Sequence, residues 1–135
     1  MTRKEVTNLS YEIMRYAIKV HKTLGPGLIE SVYQNCLTYE LEMNGHHVLQ
    51  ELSVPIIYDQ MKIYTNLKLD LLVDDCVVLE LKTVENLLPV HEAQLITYMH
   101  LLQKPQGLLI NFFTDNLSKS YRPLVNQFFR ALPEE

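Results

Sequence analysis

The sequence is short of cysteine, of long apolar runs and of basic residues, and each shortage excludes a class of protein. Its two cysteines, Cys36 and Cys76, lack CxxC spacing, so we expect neither a disulfide framework nor a thiolate zinc site. No apolar stretch reaches the roughly 18 residues of a membrane span, and the first residues lack the apolar centre of a secretory signal. We therefore expect a cytoplasmic protein with no membrane partner.

The charge balance excludes binding to polyanions through overall charge. Lys plus Arg number 12 and Asp plus Glu number 16, which gives a net charge of -4. Any contact with nucleic acid must therefore be local or depend on a metal ion. The hydrophobic content of 47% and the charged content of 21% are typical of a folded globule. With no repeat, low-complexity segment or linker, residues 1–135 are expected to form a single domain.

The apolar pattern predicts two helices, a β-rich middle and then helix, strand and helix. The first helix is expected to begin at Asn8 or Ser10 and to end at 25–27, and the second to begin within 28–31 and end at Gly45. Three or four antiparallel strands are predicted within 48–82, a helix at 91–103, a buried strand at 107–113 and a last helix containing Leu124, Phe128, Phe129 and Leu132. This ααβββαβα order predicts an α/β fold with helices on a mixed sheet.

Strand alternation sorts the acidic residues of the β-rich middle. One predicted face carries Lys68, Asp70 and Leu72, with Leu67, Leu69, Leu71 and Val73 opposite, and the next strand places Cys76, Val78, Glu80 and Lys82 together. Because Asp74 and Asp75 predict a tight turn, Asp70 and Glu80 are expected to lie close together. Two carboxylates among Leu and Val share a proton or bind a hard cation such as Mg²⁺ or Mn²⁺. A solvated salt-bridge ladder remains the alternative.

Two predicted helices add polar residues. His91, Gln94 and Tyr98 lie on one face of the third helix, either bordering a polar cleft or simply at the helix surface, with His91 structural or at the rim of the site. Glu30 lies one turn before Tyr33, as a site residue or as a helix cap. Five aromatic residues and both cysteines are interpreted as core or sheet-packing residues: Tyr11, Tyr16, Tyr39, Phe112, Phe113, Cys36 and Cys76. His46 and His47 are interpreted as loop residues that bind no zinc.

Five ordered blocks carry a resemblance that covers nearly the whole chain. They are Gly27-Leu28-Ile29-Glu30-Ser31-Val32-Tyr33, Leu69-Asp70-Leu71-Leu72-Val73, Val78-Leu79-Glu80-Leu81-Lys82, His91-Glu92-Ala93-Gln94-Leu95 and Gly107-Leu108-Leu109-Ile110-Asn111-Phe112. Together they resemble the GxxExxY proteins, a family placed in the PD-(D/E)XK nuclease superfamily. The resemblance implies a restriction-endonuclease-like core and hydrolysis of phosphodiester bonds.

The resemblance also implies roles for individual residues. Asp70 and Glu80 would bind Mg²⁺ or Mn²⁺ with the Leu81 carbonyl and Glu30, and Lys82 would steady the attacking water or the developing charge. Gln94 and Tyr98 resemble a Q-x-x-x-Y element that orients the site and contacts the nucleic-acid backbone. From the residues themselves, Lys62 and Lys68 are candidates for phosphate contacts, joined by Arg15, Lys19 and Lys22 if the first helix borders the cleft.

Two functional hypotheses follow. The first is a metal-dependent nuclease acting on DNA, or on RNA, through weak and salt-sensitive binding. The second is a catalytically silent scaffold of the same fold that binds nucleic acid or a protein partner. Formation of a homodimer is left open.

Overall fold

The computed structural model describes all 135 residues and contains four α-helices and seven β-strands. The helices are α1 (Arg3–Leu24), α2 (Glu30–Met43), α3 (Pro89–Leu102) and α4 (Gln127–Arg130), with a 3-10 turn at Leu117–Lys119. The strands are β1 (Val48–Ser53), β2 (Ile56–Tyr58), β3 (Met61–Ile63), β4 (Lys68–Val73), β5 (Val77–Lys82), β6 (Gln106–Asn111) and β7 (Tyr121–Val125). No helix combines the length and apolar character needed to span a membrane.

Five strands form one mixed sheet in the order β1, β4, β5, β6, β7. The β5 and β6 strands run parallel, and every other neighbouring pair is antiparallel. Parallel neighbours need a crossover connection, which α3 supplies. The β2 and β3 strands pair only with each other. The predicted α/β class, a mixed sheet flanked by helices, is confirmed.

Helices cover both faces of the sheet. α1 and α2 pack on one face and α3 on the other, so that each face has its own apolar cluster. The larger cluster includes Ile13, Tyr33, Leu37, Leu79 and Phe112, and the smaller one includes Val54, Leu69, Val78, Leu95 and Met99. Because β6 lies between β5 and β7 and beneath helices on both sides, all of its residues are buried. The middle of β6, Leu108 to Ile110, is apolar as a strand buried on both faces requires, whereas the buried polar residues Gln106 and Asn111 at its ends form side-chain hydrogen bonds.

The first helix begins earlier than predicted. Asn8 and Ser10 are not caps, because Thr2 caps the helix in a reciprocal arrangement with Glu5. The Glu5 backbone N–H donates to Thr2 Oγ1 at 3.1 Å, and the Thr2 backbone N–H donates to Glu5 Oε1 at 3.0 Å. This capping box satisfies two amide groups that the helix itself leaves free. Ser10 lies inside the helix, where its hydroxyl donates to a backbone carbonyl one turn earlier.

The strand count and the C-terminal segment also differ from the prediction. Five strands, rather than three or four, occupy the β-rich middle, because β2 and β3 form a separate hairpin. The predicted C-terminal helix is largely wrong: β7 pairs with β6, and only the four residues of α4 are helical in this tail. Because β7 is an edge strand, Pro123 is tolerated there without a backbone N–H to donate.

Several residues predicted to be buried lie at the surface. Tyr11, Tyr39 and Phe113 are 65%, 62% and 49% exposed. Cys36 is half-buried, whereas Phe112 and Cys76 are buried as predicted. Tyr11 and Tyr39 lie on the solvent sides of α1 and α2, and Phe113 lies in the loop after β6. For a residue at the border of an apolar helical face, sequence spacing alone does not determine whether its side chain is buried or exposed.

His46 joins three separate parts of the fold. Its Nε2 lies 3.0 Å from Oε1 of Glu12 on α1, and its Nδ1 lies 2.6 Å from Oδ2 of Asp74 in the β4–β5 turn. Only an imidazolium donates from both ring nitrogens. Burial by itself lowers the pKa of His46, but the hydrogen bonds to Asp74 and Glu12 outweigh it, so the pKa is raised. The charged form is therefore stabilised by the fold.

We expect His46→Gln to destabilise the protein more at pH 5.5 than at pH 9. A raised folded-state pKa means that the stabilisation is fully present below the ordinary value of about 6.5 and disappears as the pH rises through the folded value. The loss at pH 5.5 should be about 1–3 kcal/mol. Thermal or urea unfolding at both pH values measures it, with His47→Gln, an exposed neighbour, as the control. Equal destabilisation at both pH values would contradict this assignment.

Candidate functional site

Asp70 and Glu80 lie where β4 and β5 stop pairing through their backbones. The last backbone pair is Leu71 with Leu79, and beyond it each carboxylate accepts a hydrogen bond from the other strand. The Asp70 N–H donates to Glu80 Oε1 at 3.1 Å, and the Leu81 N–H donates to Asp70 Oδ2 at 2.7 Å. The side chains thus take the place of backbone acceptors at this end of the hairpin. We call Asp70 and Glu80 the carboxylate pair.

Burial disfavours ionisation of the carboxylate pair. It is the largest cause of raised pKa values, to about 6 for Asp70 and about 8 for Glu80. The charge of Asp70 raises the pKa of Glu80 further, while the Leu81 N–H lowers that of Asp70. Glu80 is only 5% exposed. At neutral pH the pair therefore retains roughly one proton unless a positive charge replaces it.

Glu30, the first residue of α2, also contributes to this field. Its charge raises the pKa of both members of the carboxylate pair, and no side-chain hydrogen bond caps the helix there. Tyr33, one turn later, fixes the start of α2. Its hydroxyl donates to the Gly25 carbonyl and accepts from the Leu28 N–H, and its ring stacks on Phe112 at 4.3 Å. Tyr33 therefore ties the loop before α2 to the helix whose first residue is Glu30.

Lys82, the last residue of β5, supplies a positive charge beside the pair. It is half-buried, lowers the pKa of both carboxylates and forms no ion pair. Asn111 holds the segment that follows it. The Asn111 side chain donates to the Val84 carbonyl at 2.7 Å and accepts from the Val84 N–H at 3.1 Å. The Phe112 N–H donates to the Lys82 carbonyl at 2.8 Å.

Helix α3 brings Gln94 and Tyr98 to the same side of the sheet. Gln94 Nε2 donates to the Tyr98 hydroxyl at 2.8 Å. Burial raises the pKa of Tyr98, and the charge of Glu80 raises it further, so Tyr98 lies within the field of the carboxylate pair. His91 instead accepts the Leu88 N–H at 3.0 Å and orders the start of α3. The sequence placed His91, Gln94 and Tyr98 on one helical face. In the structure His91 contacts the start of α3, whereas Gln94 and Tyr98 bond to each other near the carboxylate pair.

Lys68 begins β4 and is exposed, two residues before Asp70. Neither Lys68 nor Lys82 pairs with an acidic residue, so the salt-bridge ladder is not formed. The predicted alternation of β4 also fails at its start. Leu69 packs with Leu72 in the cluster on the α3 side, rather than with Leu71 on the opposite face, and Leu67 packs against the same cluster. The break falls at the carboxylate pair, where regular backbone pairing ends.

Sequence reasoning missed Glu51. Its neighbours Gln50 and Leu52 pair with Leu71 and Leu69, which places Glu51 opposite Asp70. Its φ of 52° is left-handed, a conformation uncommon for residues other than glycine. Its charge contributes to the raised pKa of Asp70. No local signal marks Glu51, because the pairing register that places it there is a property of the folded sheet.

The donor set fits a hard divalent cation in its chemistry. Asp70 Oδ1 and Glu80 Oε2 accept no protein hydrogen bond, and carboxylate oxygens are the ligands that Mg²⁺ and Mn²⁺ prefer. No group of three or more His, Cys, Asp or Glu residues is arranged to hold a metal ion. The carboxylate pair is thus the part of the site already assembled, with Glu30 and Glu51 close enough to act on it electrostatically.

Comparison with known proteins agrees with this geometry. A sequence profile described as the PD-(D/E)XK nuclease superfamily matches residues 7–123. The chain belongs to this superfamily and has its nuclease-like fold. Nucleases of the superfamily generally use divalent metal ions and act on nucleic acid. Searches of curated proteins and of solved structures give no match. The finer resemblance to GxxExxY proteins stays a prediction.

We expect Glu80→Gln to stabilise the metal-free protein at pH 9 and to have little effect at pH 5. Because the pKa of Glu80 is raised from 4.5 to about 8, the folded state holds a proton that the unfolded state has released, and stability falls as pH rises between these values. Glutamine mimics the protonated acid. The melting temperature in EDTA should rise on the order of 5 °C at pH 9.

The matched control for this measurement is Glu42→Gln, which changes an exposed acid on α2 that accepts no hydrogen bond from a side chain. It should melt like the wild type at both pH values. A Glu80→Gln protein that melts below the wild type at pH 9 would contradict the assignment of a strained carboxylate to this position.

Proposed function

We propose that the protein is a metal-dependent nuclease that hydrolyses phosphodiester bonds of DNA, or of RNA. The carboxylate pair carries this proposal, because the fold keeps two acids in a buried place where their charges are unfavourable without a cation. In this proposal Asp70 and Glu80 bind Mg²⁺ or Mn²⁺, with the Leu81 carbonyl and Glu30 completing the protein ligands. The bound ion would polarise a phosphoryl oxygen and lower the pKa of a water molecule.

The other residues act on the water and the phosphate. Lys82 presents its ammonium group beside the carboxylate pair, where it would hold the attacking water and stabilise negative charge on the phosphate. Its lack of an ion pair leaves it available. Gln94, fixed by its hydrogen bond to Tyr98, would orient the site, and Lys68 would contact a neighbouring phosphate.

A catalytically silent scaffold that binds nucleic acid or a protein is the second candidate. One observation favours it: no three potential metal ligands are arranged to hold an ion. Metal binding separates the two candidates, because the scaffold has no need of an ion at the carboxylate pair.

Titration calorimetry with Mn²⁺ is the first test. We expect saturable binding to the wild type, and binding at least about tenfold weaker in Asp70→Asn and in Glu80→Gln, because each loses a charged ligand. Asp75→Asn is the control, since Asp75 lies in the turn at the far end of the hairpin and pairs with Lys104. If Mn²⁺ binds none of these proteins, or binds all of them alike, the proposed metal site is wrong.

Cleavage at low salt with Mn²⁺ or Mg²⁺ then tests catalysis. DNA and RNA, each single- and double-stranded, should be assayed with wild type, Asp70→Asn and Lys82→Ala. We expect Lys82→Ala to bind Mn²⁺ as the wild type does but to cleave about 100-fold more slowly, because it loses charge stabilisation in the transition state. Cleavage that persists in Asp70→Asn would point to a contaminating nuclease. Metal binding without cleavage of any of these substrates would contradict the proposed nuclease activity.

Mn²⁺ binding should also depend on pH and displace protons. Because the pKa values of Asp70 and Glu80 are raised to about 6 and about 8, the ion must replace roughly one proton at pH 7. Affinity should therefore increase with pH and level off above about 8. Calorimetry in two buffers with different ionisation enthalpies measures the proton release. Binding with no proton release at pH 7 would place the ion elsewhere.

A further inference from the structure

The hairpin of β2 and β3 extends beyond the main sheet. The pairing of β1 with β4 ends at Ser53 and Lys68, and the intervening residues 54–67 form what we call the hairpin arm. Neither β2 nor β3 pairs with a strand of the five-stranded sheet. A two-stranded hairpin alone is only marginally stable in water, so an arm of this kind depends on its base or on a bound partner.

The hairpin arm exposes apolar surface on both of its faces. By strand alternation Ile57, Lys62 and Tyr64 share one face, and Tyr58 lies on the other with Met61. Tyr64 is 80% exposed and Ile57 is 66% exposed. Clustered exposed apolar side chains of this kind mark binding surfaces. The Ile57, Lys62 and Tyr64 side is called the Tyr64 face below.

The base of the arm lies on the same side of the sheet as the carboxylate pair. Val54 is buried in the apolar cluster on the α3 side, which also contains Tyr98, and Leu67 packs against it. Lys68, at the junction of arm and sheet, precedes Asp70 by two residues, or about 7 Å along the strand. A strand of nucleic acid with one phosphate at the carboxylate pair would therefore reach the arm within a few nucleotides.

The charge of the arm favours a polyanion. Residues 54–68 contain Lys62, Lys68 and a single acid, Asp59, so this segment is positive in a chain of net charge -4. Neither lysine forms an ion pair. The Lys62 ammonium lies over the Tyr64 ring, 5.2 Å from its centroid. An exposed ring beside free cations is the arrangement by which proteins bind unpaired bases and their phosphates.

A hollow of about 230 Å³ is lined by Lys62 and Tyr64 together with Ser53, Val54, Pro55 and Thr65. It is smaller than the sites that hold drug-sized molecules. Its size and its aromatic wall suit one flat ring.

We propose that the Tyr64 face of the hairpin arm grips an unpaired nucleotide of single-stranded nucleic acid next to the carboxylate pair. Tyr64 stacks on a base, and Lys62 and Lys68 contact the flanking phosphates. This inference rests on the proposed function for its substrate class. It assigns the enzyme a preference for single strands or frayed ends over intact duplex.

Fluorescence anisotropy in EDTA tests the inference without cleavage. A labelled oligonucleotide of about 15 nucleotides should bind the wild type more tightly at low salt than a duplex of the same length. We expect Tyr64→Ala to weaken single-strand binding about five- to 100-fold and Tyr64→Phe to retain it, because the ring is kept. Lys62→Gln should reduce the slope of log affinity against log salt by about 0.7. Tyr11→Ala, which removes another largely exposed tyrosine, on α1, should bind like the wild type.

Unchanged binding in Tyr64→Ala, or equal affinity for single strand and duplex, would overturn the inference. Light scattering that shows a dimer for the wild type and a monomer for Tyr64→Ala would also overturn it, because the Tyr64 face would then be a dimer interface. The inference and the proposed function fail separately. Tyr64-dependent binding without cleavage removes only the nuclease activity, whereas metal-dependent cleavage that is indifferent to Tyr64→Ala removes only the role of the arm.

Discussion

The reciprocal hydrogen bonding of Asp70 and Glu80 is the constraint around which the rest of the structure is arranged. Each carboxylate accepts a backbone N–H from the opposite strand, so neither side chain rotates away without leaving a buried donor unsatisfied. Two N–H groups do not balance two buried negative charges, as the raised pKa values show. The fold therefore satisfies the two backbone donors but leaves the charge of the carboxylate pair unbalanced, and in the proposed function a bound cation would balance it.

Elements on both faces of the sheet keep that arrangement fixed. On the α1 and α2 side, Tyr33 packs on Phe112 and ties the loop after α1 to the start of α2. On the far side, Gln94 donates to Tyr98, which lies within the field of the carboxylate pair. Asn111, in the buried β6, fixes the segment that leaves β5. These contacts come from distant parts of the chain, so precise placement of the carboxylate pair depends on the complete fold.

The sequence predicted the parts that depend on local periodicity. Alternation and a short turn placed Asp70 and Glu80 together, and helical spacing paired Gln94 with Tyr98. The structure added what depends on partners. Glu51 gains its place from the register of β1 on β4, and the C-terminal tail is a strand because β6 offers it a free edge. The alternation of β4 broke at Leu69 because the carboxylates, rather than the backbone, complete the hydrogen bonding there. These interactions join segments that are distant in sequence, so local sequence patterns do not reveal them.

The distribution of charge on this acidic chain is compatible with the proposed nucleic-acid substrate. Overall repulsion at a net charge of -4 weakens long-range attraction, and salt screens what remains beyond about 10 Å. Contact must then come from cations beside the site, and Lys62, Lys68 and Lys82 are the ones that the fold leaves unpaired there. Lys19 and Lys104, in contrast, pair with acids elsewhere on the surface. In the proposed function, these three cations would orient a bound strand toward the carboxylate pair.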